Sequence, residues 1–87
     1  MMRIFIMPGC PHCAKLRHVI EDLCNEDPRY KNVDIEYIDE TKEVELADSY
    51  DYYYVPSIFV GDVKKHEGVV DPEHIREVFD EYLEGKR

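Results

Sequence analysis

The chain opens on a short apolar run, Ile4-Phe5-Ile6-Met7 after Arg3, closed by Pro8-Gly9. A run of that length ended by a turn pair reads as a buried strand over Arg3 to Met7. Pro11 suits the first position of a helix, where its missing N–H costs nothing. Leu16, Val19, Ile20 and Leu23 then recur at helical spacing, which predicts a helix from about residue 11 to about residue 25. Glu26-Asp27-Pro28 breaks it. Val33, Ile35 and Tyr37 alternate with Asp34 and Glu36, a second strand reaching Ile38.

Asp39 or Thr41 can cap a short second helix in which Val44, Ala47 and Tyr50 share a face. Val55-Pro56-Ser57 opens a third strand, Ser57 to Val60, and Gly61-Asp62 turns it into a fourth, Val63 to Glu67. Gly68 ends that strand. Asp71-Pro72 starts the last helix with a carboxylate cap and a proline, Ile75, Val78, Phe79, Tyr82 and Leu83 form its stripe, and Gly85 stops it. The order is β-α-β-α-β-β-α. The first two strands, joined by a helix, should lie parallel with a right-handed crossover. The expected architecture is α/β, a four-stranded mixed sheet with helices on both faces.

At 87 residues the chain is expected to form one domain, residues 1–87. Its apolar fraction of 44% excludes a disordered chain. A net charge of −9 argues against a nucleic-acid surface or an anionic membrane patch. No apolar stretch is long enough for a membrane helix or a signal-peptide core, so a cytoplasmic monomer is expected. Three cysteines do not make a disulfide scaffold. The charge is unevenly placed: the first twenty residues hold Arg3, Lys15 and Arg17 and no carboxylate.

That basic segment contains Cys10-Pro11-His12-Cys13, at the junction of the first strand and the first helix. Cys10 falls at or next to the helix N-cap, facing unpaired backbone N–H groups and the positive end of the helix dipole. Both favour the thiolate, which is the nucleophile. Cys13 lies one turn in and more shielded, so Cys10 is expected to attack and Cys13 to resolve the mixed disulfide. The same spacing serves zinc and iron–sulfur sites. No second such pair completes a four-ligand set, and Cys24 is displaced from Cys13 by roughly 16 Å of helix. A redox pair therefore outweighs a metal or iron–sulfur module built on Cys10 and Cys13.

His12, between the sulfurs, can stabilise the Cys10 thiolate by charge or hydrogen bonding, against the plainer reading of a solvated residue. His18, His66 and His74 read as surface residues, and Cys24 as a small buried hydrophobe. Tyr50, Tyr52, Tyr53 and Tyr54 crowd the approach to Pro56, with Tyr52 expected in the core and Tyr53 and Tyr54 beside a groove. Val55-Pro56 is expected to be trans on frequency alone. A cis bond would present Val55 as a strand edge able to take an extended peptide.

These residues resemble the thioredoxin-fold dithiol oxidoreductases, specifically the small glutaredoxin-like or thioredoxin-like type, over essentially the whole chain. The resemblance rests on Cys10-Pro11-His12-Cys13, on Val55-Pro56, and on Ala47-x-x-Tyr50 with Pro56 six residues later. It implies the thioredoxin fold, a cis Pro56, and a Val55 backbone offered to substrate. It implies a thiol–disulfide oxidoreductase cycling Cys10 and Cys13 on protein or glutathione disulfides, with no bound cofactor. Electrons would come from glutathione, a possible co-substrate, or from a reductase. The residues expected at the site are Cys10, Cys13 and His12 for catalysis and Tyr54, Val55, Pro56 and Lys15 for substrate. Length and Pro11 are similar to glutaredoxins, whereas Gly68 followed by the helix at Asp71-Pro72 looks more like thioredoxin. With the helix terminus, Lys15 and His12 stabilising the thiolate, the expected potential is roughly −240 to −180 mV.

Overall fold

A computed structural model describes residues 1–85, so the last two residues of the expected domain lie outside the described residues. Its elements are β1 (Met2–Ile6), α1 (Pro11–Glu26), a 3-10 turn (Pro28–Asn32), β2 (Ile35–Asp39), α2 (Val44–Asp48), β3 (Ser57–Val60), β4 (Val63–Glu67) and α3 (Pro72–Leu83). The strands form one sheet in the order β2-β1-β3-β4. β1 runs parallel to β2 and antiparallel to β3, and β3 and β4 form an antiparallel hairpin. Gly61 makes that hairpin turn at φ +60°, a conformation open to glycine at little cost. This is the four-stranded mixed sheet with three helices that the sequence order implies.

Alternation along the strands sorts side chains to two faces. Met2 and Ile4 of β1 with Ile58 and Val60 of β3 join Leu16, Val19, Ile20 and Leu23 of α1 and Ile75, Val78 and Phe79 of α3 in the larger core. Phe5, Phe59 and Ile38 point to the opposite face and pack with Ala47 of α2. Tyr50 and Tyr52 close this smaller core, their ring centroids 4.8 and 5.0 Å from that of Phe5.

Several local expectations are corrected. The first strand ends at Ile6, and Met7 is exposed. The break after α1 is itself structured: the Asp27 side chain accepts the Arg29 N–H at 3.0 Å and caps the 3-10 turn. That turn buries Tyr30, whose hydroxyl donates to Asp80 at 2.7 Å. Val33 is buried as the cap of this turn rather than paired in β2. Glu43 occupies the N-cap of α2, because the Asp39 carboxylate is taken by the Thr41 N–H and hydroxyl. Val44 is exposed and does not share the buried face of Ala47.

His66 is not a surface residue. Its ring is buried between β4 and α3 and bonds the Gly68 carbonyl at 3.0 Å. His74 bonds the Lys65 carbonyl at 2.9 Å, with the two rings 5.3 Å apart. His18 is exposed, as expected. Cys24 is half-buried and packs against the larger core.

Candidate active site

β1 ends beneath the loop Met7-Pro8-Gly9, and Gly9 at φ +75° turns the chain into α1, where a residue with a Cβ would be strained. Cys10 follows as the N-cap, in extended conformation, with Pro11 opening the helix. The cap bond is made by sulfur: the backbone N–H of Cys13 donates to Cys10 Sγ at 3.2 Å. The Cys10 thiol in turn points at the Val55 carbonyl, 3.9 Å away. The Val55–Pro56 bond is cis, as the resemblance implies and against the frequency argument.

The two thiols differ in environment. Cys10 is half-buried, while Cys13 is 5% exposed. Burial pushes the Cys13 thiol up to about 12, reinforced by its bond with Cys10 and by the negative charge of Glu40, and opposed by the backbone N–H of Met7. Glu40 is anchored from two sides. Its N–H donates to the Ile6 carbonyl at 3.0 Å, and its carboxylate accepts the Tyr52 hydroxyl at 2.7 Å. Burial, and then that bond, raise the Tyr52 hydroxyl well above the usual phenol range.

A groove of about 390 Å³ runs beside the pair, lined by Met7, Cys10, Cys13, Arg17 and Asp39 among others. A larger cleft of about 590 Å³, lined by Met1, Arg3, Tyr50 and Tyr82, lies by the opposite end of β1, away from the cysteines.

The structure brings Cys10, Cys13, Val55 and Pro56 together. Tyr54 is 70% and Tyr53 86% exposed, on the loop leading into Val55, whereas Tyr52 packs on Phe5 as expected. His12 lies exposed in the first turn of α1, and Lys15 is exposed further along it. Three residues escaped the sequence reading: Asp39, Glu40 and Glu67. Asp39 ends β2 and Glu40 follows it, and the parallel β1–β2 register carries them beside the Cys10 loop. Glu67 accepts backbone N–H groups of Tyr53 and Tyr54.

A dithiol opening a helix, opposite a cis Val-Pro loop on a mixed β2-β1-β3-β4 sheet, defines the class of thioredoxin-fold dithiol proteins. A family model described as Thioredoxin domain matches residues 2–80, and the chain belongs to that family. It is 36% identical over 64 residues to a thioredoxin of Methanocaldococcus jannaschii, a match covering 72% of this chain and 73% of that one. Among solved structures it is similar to a malarial protein, with a TM-score of 0.69, 15% identity and 94% of each chain covered. It is also similar to thioredoxin O2 of Arabidopsis thaliana in its oxidized state, with a TM-score of 0.60 and 24% identity, over 94% of this chain and 73% of that one. At the general level of this family, the protein is a thiol–disulfide oxidoreductase.

Proposed function

We propose that the protein reduces disulfides in polypeptides through Cys10 and Cys13, with Cys10 as the attacking sulfur. The observation that carries this reading is the Cys10 sulfur itself. It is half-exposed at a helix N-cap, holds a backbone donor at 3.2 Å, and lies 3.9 Å from the Val55 carbonyl. A backbone N–H and the helix dipole both favour negative charge on that sulfur.

In the first step the Cys10 thiolate attacks one sulfur of the substrate. A Cys10–substrate disulfide forms, the substrate S–S bond breaks, and one substrate thiolate departs. Cys13 then loses its proton and attacks Cys10 Sγ, releasing the second thiolate and leaving a Cys10–Cys13 disulfide. Two electrons pass to the substrate, and the two thiol protons end on its cysteines. An external thiol, glutathione or the dithiol of a reductase, returns the pair to the reduced state by the reverse exchange. In this reading Tyr54, Val55 and Pro56 receive the substrate beside Cys10, with His12 and Lys15 at the start of α1. The whole cycle needs no bound cofactor and one copy of the chain.

The alternative of a metal or iron–sulfur module gains no support from the side chains. Among the described residues, no group of three or more His, Cys, Asp or Glu converges to hold a metal ion.

The test is to reduce the oxidised protein with glutathione and, separately, with a thioredoxin reductase, while following turnover of an insulin disulfide. Turnover with either donor supports the reading, and the faster donor identifies the electron source. Protein purified under reducing conditions that carries stoichiometric zinc or iron and turns over no disulfide would overturn it.

A further inference from the structure

Glu67, the last residue of β4, reaches across to the loop ahead of Pro56. One of its carboxylate oxygens accepts the backbone N–H groups of both Tyr53 and Tyr54, the latter at 2.9 Å. Its other oxygen accepts Lys64 Nζ at 2.7 Å, and Lys64 also donates to the Asp51 carbonyl at 3.3 Å. The Ser57 hydroxyl donates to the Tyr54 carbonyl, and the Gly68 N–H donates to the Pro56 carbonyl at 2.9 Å. The backbone from Asp51 to Pro56 is thus held at both ends and in the middle. The central hold is a charge-assisted bond to two adjacent N–H groups, stronger than a neutral pair. Lys64 first, and then the two backbone donors, hold the Glu67 carboxyl down at about 2, so the clamp is ionised at neutral pH.

What the clamp displays is unusual in composition. Tyr50 and Tyr52 turn their rings into the smaller core, but Tyr53 and Tyr54 stand 86% and 70% exposed. Tyr53 and Tyr54 lead directly into Val55, whose carbonyl is 3.9 Å from Cys10 Sγ. Tyrosine offers a large, rigid contact surface at small entropic cost, which is why it is enriched where polypeptides are bound. A loop ordered in advance spares an incoming chain the cost of ordering it.

We propose that Glu67 is a positioning residue, whose carboxylate fixes the Tyr53–Tyr54 backbone so that both rings and Val55 form a preformed strip for the polypeptide flanking the target disulfide. This rests on Cys10 being the attacking sulfur, and it names the substrate class as extended polypeptide with an apolar side chain beside its cysteine. A small disulfide without a flanking chain has nothing to lay along the strip.

The test compares wild type, Glu67→Ala, Glu67→Gln and the double variant Tyr53→Ser/Tyr54→Ser on insulin disulfides and on dithiobis(nitrobenzoate). Loss of the clamp should raise KM for insulin about tenfold while kcat stays within about twofold, the signature of lost ground-state binding. Glu67→Gln keeps an amide oxygen as acceptor without the charge and should fall between. The double variant removes only exposed rings, so it keeps the fold even if Glu67→Ala does not, and it should raise the same KM. Unchanged insulin KM in the Glu67→Gln and double variants overturns the inference. So does an equal fall of kcat on both disulfides with KM unmoved, which would mark a merely structural clamp. Wild type that reduces neither disulfide overturns the proposed function and the inference with it. Normal wild-type turnover with unmoved variants overturns the inference alone.

Discussion

The backbone N–H of Cys13 donates to the sulfur of Cys10 across 3.2 Å, and the turn of helix that supplies this donor also buries the sulfur of Cys13. The start of the helix thus offers a donor to one sulfur and shields the other from solvent, and the proposed order of attack, Cys10 before Cys13, rests on that difference. Cys10→Ser should abolish turnover. Cys13→Ser should leave the first attack intact and accumulate a mixed disulfide at Cys10, visible by mass spectrometry. Cys24→Ser should keep turnover within about twofold, since a half-buried thiol packed on the core takes no part in the exchange. Alkylation of Cys13 ahead of Cys10 at neutral pH would reverse the assignment.

The Cys13 thiol stands far above its ordinary value of 9.0, first through burial and then through Cys10 and Glu40. In the mixed disulfide the Cys10 contribution is gone, but burial and Glu40 remain. Release of the second substrate thiol should therefore accelerate about tenfold per pH unit through the neutral range, following the thiolate fraction. Glu40→Gln removes a negative charge from the neighbourhood and should speed this step at any fixed pH below 9.0. Single-turnover release from a preformed mixed disulfide measures it. A pH-independent rate, or a slower Glu40→Gln, would show that Cys13 is not limited by proton loss.

The elements were legible wherever one local signal named them. Pro11 and Asp71-Pro72 open the two long helices, a continuous apolar run marks β1, and apolar alternation marks β2. The 3-10 turn after α1 was hidden because Asp27-Pro28 announces a break without saying what the broken segment does. His66 was misread because four of the five residues of β4 are polar, so its alternation does not announce the packing of α3 against it. At the site, Cys10 and Cys13 were legible from spacing and helix position. The cis Val55–Pro56 bond followed only from resemblance, since local frequency favours trans. Glu40 and Glu67 were not legible, because their contacts arise from strand register and from loops 12 to 14 residues apart.

Phe5 ties the smaller core to the active-site end of the sheet. It is fully buried, stacks on Tyr52, and meets Phe59 edge-on with centroids 5.8 Å apart. Phe5→Ala should cost about 3–5 kcal/mol, the usual range for emptying an aromatic core site. Denaturant unfolding of the reduced protein reads this directly. A loss below about 1 kcal/mol would mean that the tyrosines collapse into the space.

The buried His66 ring is held neutral. Burial lowers its proton affinity, opposed by the Gly68 carbonyl, and the neighbouring His74 lowers it further. Asp71 and Glu67 oppose that shift without cancelling it. A group whose folded value is depressed binds fewer protons when folded, so stability is lost as pH falls. The window opens below the ordinary histidine value of 6.5. Glu67 adds a second loss, from its ordinary 4.5 down to about 2. Melting temperature should decline in those two steps. His66→Gln should flatten the first and leave the second, and an unchanged first step would assign it to another group.

His12 separates the two sulfurs in sequence and stands exposed at the start of α1, where positive charge favours the Cys10 thiolate over the disulfide. Stabilising the thiolate stabilises the reduced pair, which makes the disulfide the stronger oxidant. Lys15 should act in the same sense, while the Asp39 carboxylate, which lines the same groove as Cys10, should oppose it. Glu40 adds to the raised value of the Cys13 thiol. The potential should lie at roughly −240 to −180 mV, above the thioredoxin value of about −270 mV. His12→Gly should lower it, by ~30 mV for each ~1.4 kcal/mol of thiolate stabilisation removed. A glutathione titration giving about −270 mV or lower, unchanged by His12→Gly, would leave His12 as a solvated residue with no part in the chemistry.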